Sequence, residues 1–295
     1  TTRPPPRSTP RSNRRQRQMC IRDSGTRGAY PTSTPANQKY GGDTPCIEII
    51  HNEDRLIIDA GTGIIGIDWS QYDPKKRLDI LLTHLHMDHI QGLGFCKPLF
   101  DPNREVHIWG PGGSVYPLQM RLNRFLSPPL FPVVLRDIPS QPEIHQLANT
   151  KIELGPFTVH SSFIIHPGPT LGYRVECGGK SLTYIPDHEP MIGQLKLYDD
   201  DSWVSGFDLA YETDLLIHDS QYENEEYMKK IGWGHSSMQI SAEFATRTKA
   251  GRLIFFHHDP AHSDEHRSST FESFMSKNSF DFPIELAVQG QEIEI

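Results

Sequence analysis

No stretch of this chain approaches the ~18 consecutive apolar residues that a membrane-spanning helix requires. No apolar segment follows the basic N-terminal stretch as a secretory leader would, so a cytoplasmic address is expected and a membrane partner is not. Cysteine is scarce. Cys20, Cys46, Cys96 and Cys177 are the only four in 295 residues, and no Cys-x-x-Cys pair occurs among them. Neither a disulfide framework nor a zinc ribbon is indicated; three of the four sit beside apolar runs and read as free thiols in or near a core. Positive charge is missing from most of the chain. Residues 1–28 hold eight Arg against the single acid Asp23, a net +7, and since the whole chain is −8, residues 29–295 carry −15. A body this acidic disfavours a long groove that tracks a phosphate backbone. Extended nucleic acid is therefore not the expected partner, whereas a small anionic substrate held by metals is compatible. The 1–28 segment is rich in Arg, Pro, Ser and Thr without hydrophobic periodicity, which predicts a disordered, dispensable basic tail ahead of one catalytic domain over 29–295.

What the chain does have is histidine in a telling place. Thr83-His84-Leu85-His86-Met87-Asp88-His89 follows the apolar run Leu78–Leu82, a buried strand, and precedes Ile90-Gln91-Gly92, a turn into a helix. Four metal-capable side chains at the end of a rigid strand can point two imidazoles one way and an Asp/His pair another. A site holding two cations side by side requires that arrangement. Three later strand ends offer further donors: His166 before Pro167-Gly168-Pro169, Asp187 after Leu182–Pro186, and His257-His258 after Leu253–Phe256. A polar group there can reach a cleft without being buried unpaired.

The remaining pattern is strands and turns. Cys46–Ile50 and Leu56–Asp59 form a hairpin, and Val106–Trp109 a strand, with a helix near Val115–Phe125. Pro-rich Leu126–Pro132 can be neither regular helix nor central strand; it reads as a loop in which Phe125 and Phe131 either pack or touch substrate. Lys151–Leu154, Phe157–Ile165, Leu171–Glu176, Ser181–Ile185, Leu215–Ile217 and Leu253–Phe256 read as strands. Ser237–Thr248 and Asp264–Ser276 read as helices.

His-x-His-x-Asp-His after a strand resembles the signature of the metallo-β-lactamase-fold hydrolases. Arg27-Gly28, Tyr40-Gly41-Gly42 and Asp59-Ala60-Gly61-Thr62-Gly63 are similar to the opening of its phosphodiesterase and ribonuclease Z-like branch. Periodicity alone supports only mixed α and β; the resemblance implies an α/β fold, the four-layer αββα sandwich, with the site at one edge between two sheets. It implies further that His84, His86 and His166 hold one metal, Asp88, His89 and His257 the other, and that Asp187 bridges them. His258 stays the alternative last ligand, because neighbours in extended chain face opposite sides and only one of the pair would ligate. Imidazoles and carboxylates without thiolate favour two Zn²⁺; Mn²⁺ or Fe²⁺ fits the same donors.

Asp187 stands where several secreted β-lactam-hydrolysing relatives have Cys, and His86 where di-iron redox relatives have Glu, so hydrolysis of something other than an antibiotic is implied. In Gly232-Trp233-Gly234-His235-Ser236-Ser237 the Gly-His-Ser motif of phosphodiesterase relatives implies that His235 meets the substrate phosphate and protonates the leaving oxygen. Asp88 counts as catalytic as well as ligating. The alternative leaves Ser236 as a helix cap and His235 in solvent. Processing enzymes for tRNA ends insert a long RNA-gripping arm between the ligands matching His166 and Asp187, but here the interval is 21 positions, enough for a hairpin. The resulting expectation is a dinuclear metal-dependent phosphodiesterase acting on a small phosphodiester such as a cyclic nucleotide or cyclic ribose phosphate. A lactonase or thioesterase of the same fold is one alternative; a non-catalytic metal-binding sensor or partner-binding module is another. Many relatives are dimers, and a homodimer is the matching expectation.

Overall fold

The computed structural model describes residues 19–113, 115–194 and 196–295. The apolar runs of the first half become β1 (Cys20–Gly25), β2 (Cys46–His51), β3 (Asp54–Ile58), β4 (Leu78–Leu81), β5 (Val106–Pro111) and β6 (Glu143–Leu147), adjacent in that order in one sheet. Those of the second half become β7 (Thr150–Leu154), β8 (Phe157–Phe163), β9 (Leu171–Cys177), β10 (Lys180–Ile185), β11 (Leu215–Asp219), β12 (Leu253–Phe256) and β13 (Ile284–Leu286) in a second. The last strand, β14 (Glu292–Glu294), returns to the first sheet beside β1.

Each sheet is antiparallel on one side and parallel on the other: β3 to β6 run parallel, as do β10 to β13. Period-two alternation decides which residues meet. Leu56 and Ile58 of β3 point between the sheets, where they join Ile47, Val159, Tyr173, Val175 and Leu182, while Ile57 points outward to Ile80, Ile108 and α2 (Leu118–Phe125). On the far side, Leu216, Leu253 and Phe255 pack under α5 (Met238–Arg247) and α6 (Asp264–Lys277). The result is helix, sheet, sheet, helix, the αββα sandwich expected. Each Ile or Leu buried there contributes roughly 1.5–3 kcal/mol. Shorter helices are α1 (Met87–Ile90), α3 (Phe207–Ala210) and α4 (Asn224–Tyr227). All four cysteines are free, and Cys46, Cys96 and Cys177 are buried.

The expected disorder does not hold for residues 19–28. Residues 1–18 lie outside the described residues, but from Met19 the chain is folded: β1 pairs with both β2 and β14, and Met19 and Ile21 are buried. The Arg content concealed the strand because its charges are answered by distant residues. Arg22 Nε donates to Glu292 Oε1 at 3.1 Å, and the fully buried Arg27 pairs with Asp264 and donates from Nε to Gly41 O at 2.7 Å. Two boundaries also move. α2 begins at Leu118 because Pro117 occupies its N-cap in an extended conformation, and β8 ends at Phe163, short of Ile165. Phe125 and Phe131 pack against the core outside the first sheet, Phe131 edge-on to Phe95, so the packing alternative describes them.

Candidate metal centre

Parallel strands deliver their C-terminal ends to one edge of a sheet, and loops leaving those ends are free to carry polar groups. β4, β10, β11 and β12 each end at this edge. After β4 come His84, His86, Asp88 and His89; after β10, Asp187; after β12, His257; and His166 follows the antiparallel β8. Two groups of donor atoms result, His84–His86–His166–Asp187 and Asp88–His89–Asp187–His257, with the atoms of each group within 4.8 Å of one another. Asp187 belongs to both. Its Oδ2 lies 3.7 Å from His84 Nε2 and 3.7 Å from His166 Nε2, and its Oδ1 lies 3.0 Å from His89 Nε2. His86 Nδ1 faces His166 Nε2 at 3.1 Å, and Asp88 Oδ2 stands 3.2 Å from His257 Nε2.

The outward nitrogen of four of the five rings is tied down. His89 Nδ1–H donates to Asp59 Oδ2 at 2.8 Å, His166 Nδ1–H to Gly234 O at 2.8 Å, and His257 Nδ1–H to Gln221 Oε1 at 3.1 Å. The Thr83 hydroxyl donates to Asp59 at 2.9 Å, so it accepts from His84 Nδ1–H at 3.0 Å. Each tether fixes a tautomer and turns the other nitrogen's lone pair inward. His84 Nε2, His89 Nε2 and Asp187 Oδ1 are buried there with no hydrogen-bond partner. Converging buried lone pairs are costly unless a cation shares them, and five imidazoles with two carboxylates form a donor set suited to Zn²⁺. The residues fit divalent metal.

Electrostatics agrees. Burial, then repulsion from His89, holds His84 well below the usual imidazole range, and burial lowers His166 to about 4; both offer lone pairs at neutral pH. Burial would raise Asp187, but His257, His89 and His84 outweigh it and keep the carboxylate charged. His89 moves the other way: burial opposes its charge, yet Asp187, Asp59 and Asp88 raise it well above its ordinary value. The carboxylates thus demand positive charge at this spot, which a metal ion supplies.

Backbone closes the cage. A Cβ on Gly28 would stand 2.4 Å from His257 Nδ1, and one on Gly234, whose φ is +85°, 2.4 Å from His166 Nδ1. His257 is itself left-handed at φ +59°, and that twist separates it from His258. The latter turns away, donating from Nε2 to Ala287 O at 2.9 Å, so among the adjacent pair only His257 faces the cluster.

His235 also arrives. It stacks on His257 with ring centroids 5.0 Å apart and lies edge-on to His166 at 5.1 Å. Ser237, not Ser236, caps α5, accepting from Ile240 N, while Ser236 Oγ donates to His188 O; His235 is thereby turned toward the cluster and away from solvent. Sequence reasoning missed its partner, Asp219, whose Oδ2 accepts from His235 Nδ1–H at 2.7 Å, and Glu189, which accepts the N–H groups of Gly232 and Gly234. Asp219 carried a readable signal, since it too ends an apolar strand. Glu189 carried none.

Comparison with known proteins places this geometry. Residues 54–258 match the family described as the beta-lactamase superfamily domain. Ribonuclease Z of Thermococcus kodakarensis is 24% identical over 279 residues, covering 79% of this chain and 82% of that protein. A diphosphatase from the PhnP family superposes with a TM-score of 0.65 at 19% identity, covering 94% of this chain and 97% of that one. The short form of human tRNase Z superposes with a TM-score of 0.61 at 21% identity, covering 93% and 98%. Among the described residues no helix is long and apolar enough to cross a membrane. The chain belongs to the beta-lactamase superfamily and is a metallo-β-lactamase-fold hydrolase related in sequence to ribonuclease Z.

Proposed function

We propose that the chain is a dinuclear phosphodiesterase acting on a small phosphodiester, with His84, His86 and His166 around one Zn²⁺, Asp88, His89 and His257 around the other, and Asp187 shared. Two such ions would lower the pKa of water and offset the charge of a phosphodiester. The chain's own contribution is position and proton supply. His235 has Nδ1–H committed to Asp219, so its Nε2 is the nitrogen left to face the phosphate. As imidazolium the ring gives its Nε2 proton to the departing oxygen and is left neutral, with Nδ1–H still on Asp219. His86 is exposed while His84, Asp88, His89, His166, Asp187 and His257 are buried, so substrate enters beside His86. The observation that carries the reading is the pairing of His235 with Asp219 at the rim of a seven-donor cage.

Small size is supported by the interval between His166 and Asp187. It is filled by the β9–β10 hairpin, which leaves no room for an RNA-gripping arm, and the acidity of the body supports the same size. RNA is the second reading, drawn from the name of the sequence relatives. The test is a panel of cyclic nucleotides, linear phosphodiesters, lactones, thioesters and a precursor tRNA, each with Zn²⁺- and Mn²⁺-loaded protein. Hydrolysis of the small diesters is expected. Cleavage confined to lactone or thioester would replace the reading, cleavage confined to the RNA would favour the second one, and no turnover at all would leave a metal-binding module.

A further inference from the structure

A second set of donor atoms converges far along the first sheet. β5 and the edge strand β6 pair with His107 opposite Glu143 and Trp109 opposite His145, so alternation puts both imidazoles and the carboxylate on one face. His107 is buried. Its Nε2–H donates to Glu105 Oε1 at 3.0 Å, which fixes the tautomer and leaves Nδ1 as a lone pair, the relation seen where a carboxylate backs a metal-bound histidine. That lone pair faces His145 Nε2 at 2.8 Å. Glu143 Oε2 stands 3.9 Å from His107 Nδ1 and 3.7 Å from His145 Nε2. Donors about 2.0–2.1 Å from a tetrahedral Zn²⁺ lie roughly 3.4 Å from one another, and the three separations bracket that value.

We infer that His107, His145 and Glu143 form a further divalent-cation site, of the Zn²⁺ class, that clamps the edge strand β6 to β5. It shares no residue with the centre described above. Glu143 is exposed, so the remaining coordination position opens to solvent. The indole of Trp109 stacks on His145 with ring centroids 4.0 Å apart, placing a fluorescent reporter against the site. The competing account is a plain hydrogen bond from His145 Nε2–H to His107 Nδ1 with nothing between the rings.

The deciding quantity is a difference between proteins, so it does not depend on how fully the larger centre is loaded. Wild type, His145→Gln and Glu143→Gln are dialysed against buffered Zn²⁺ and their zinc per chain is measured. Each is then titrated with Cu²⁺ while tryptophan emission is followed. One Zn²⁺ fewer per chain in His145→Gln, with a lost phase of Cu²⁺ quenching, is expected. Glu143→Gln, which alters only an exposed side chain, should weaken both signals and guards against a folding defect in the first variant. Equal zinc and equal quenching in all three proteins would overturn the site and leave the hydrogen bond alone.

Discussion

The Asp219 carboxylate is clamped before it meets His235. Its Oδ1 accepts Gln221 N–H at 2.9 Å and its Oδ2 accepts His188 N–H at 3.0 Å, so the group that holds His235 Nδ1–H at 2.7 Å cannot swing away. His235→Ala should lower turnover by on the order of 10²–10⁴ with metal content unchanged by elemental analysis. Asp219→Asn should lower it by at least about tenfold, again with metal content unchanged, because an amide no longer dictates the tautomer. Wild-type turnover in either variant would remove that residue from the chemistry.

The two adjacent histidines should part company. His257→Ala should release about one metal per chain, since its Nε2 faces Asp88 and Asp187. His258→Ala should keep the metals and lose roughly 2–3 kcal/mol of stability, having emptied a buried ring position and orphaned Ala287 O. Metal analysis paired with denaturant unfolding separates them; identical metal loss would show that both ligate.

Glu189 acts at a distance from the donors. Its buried carboxylate accepts Gly232 N–H at 3.0 Å and Gly234 N–H at 3.0 Å, and the Gly234 carbonyl in turn holds His166. Both carboxylate oxygens accept glycine N–H groups, and Glu189→Gln keeps one acceptor while turning an amide N–H₂ toward the donors on the other side. Zn²⁺ affinity or turnover should fall about 10–100-fold, read by chelator competition and by kcat. Unchanged values for both would reduce Glu189 to loop packing.

Acid should weaken the fold through His218. Burial, against the pull of Asp219, lowers it to about 4, and its Nδ1–H is committed to Ser241 Oγ at 2.9 Å while Nε2 accepts from His188 Nδ1–H at 2.9 Å. An unfolded chain protonates this imidazole near 6.5, so below that pH the unfolded state binds the extra proton. Stability is therefore fully present above about 6.5 and falls as pH drops toward about 4, by roughly 3 kcal/mol for this group. Denaturant midpoints across that window should decline in wild type and decline less in His218→Gln.

Chelation should cost stability as well as activity. A ligand present at about 100 times its Kd stabilises by about 2.7 kcal/mol, which for a chain of this size is a loss of roughly 5 °C in Tm on removal. Restoration of both by Zn²⁺ or Mn²⁺ completes the measurement; an unmoved Tm would mean the cage does not hold metal.

Much of this could be read from residues alone because strand ends announce themselves. His84, His86, Asp88, His89, His166, Asp187 and His257 each follow an apolar run, and the fold brings them together. β1 could not be read that way. Its outward positions are Arg22 and Ser24, matched by Glu292 and Glu48, partners that only the tertiary pairing identifies. Asp219 hid behind Leu215–Ile217, which looked complete without it. Glu189 hid because a carboxylate that staples two glycine amides has no spacing of its own. His257 is favoured over His258 by its place directly after Leu253–Phe256; what no pattern of side chains encodes is the left-handed backbone at His257 beyond which His258 turns away to Ala287 O.

The seven donors come from both sheets: four lie after β4, and the others after β8, β10 and β12. Neither sheet therefore carries the whole donor set by itself, and a growing chain cannot finish the cage until position 257 has been made and the two layers have docked in register. Metal capture by this cage would in that sense be a checkpoint on assembly, because a chain whose layers had slipped would be left with half a chelator and no grip.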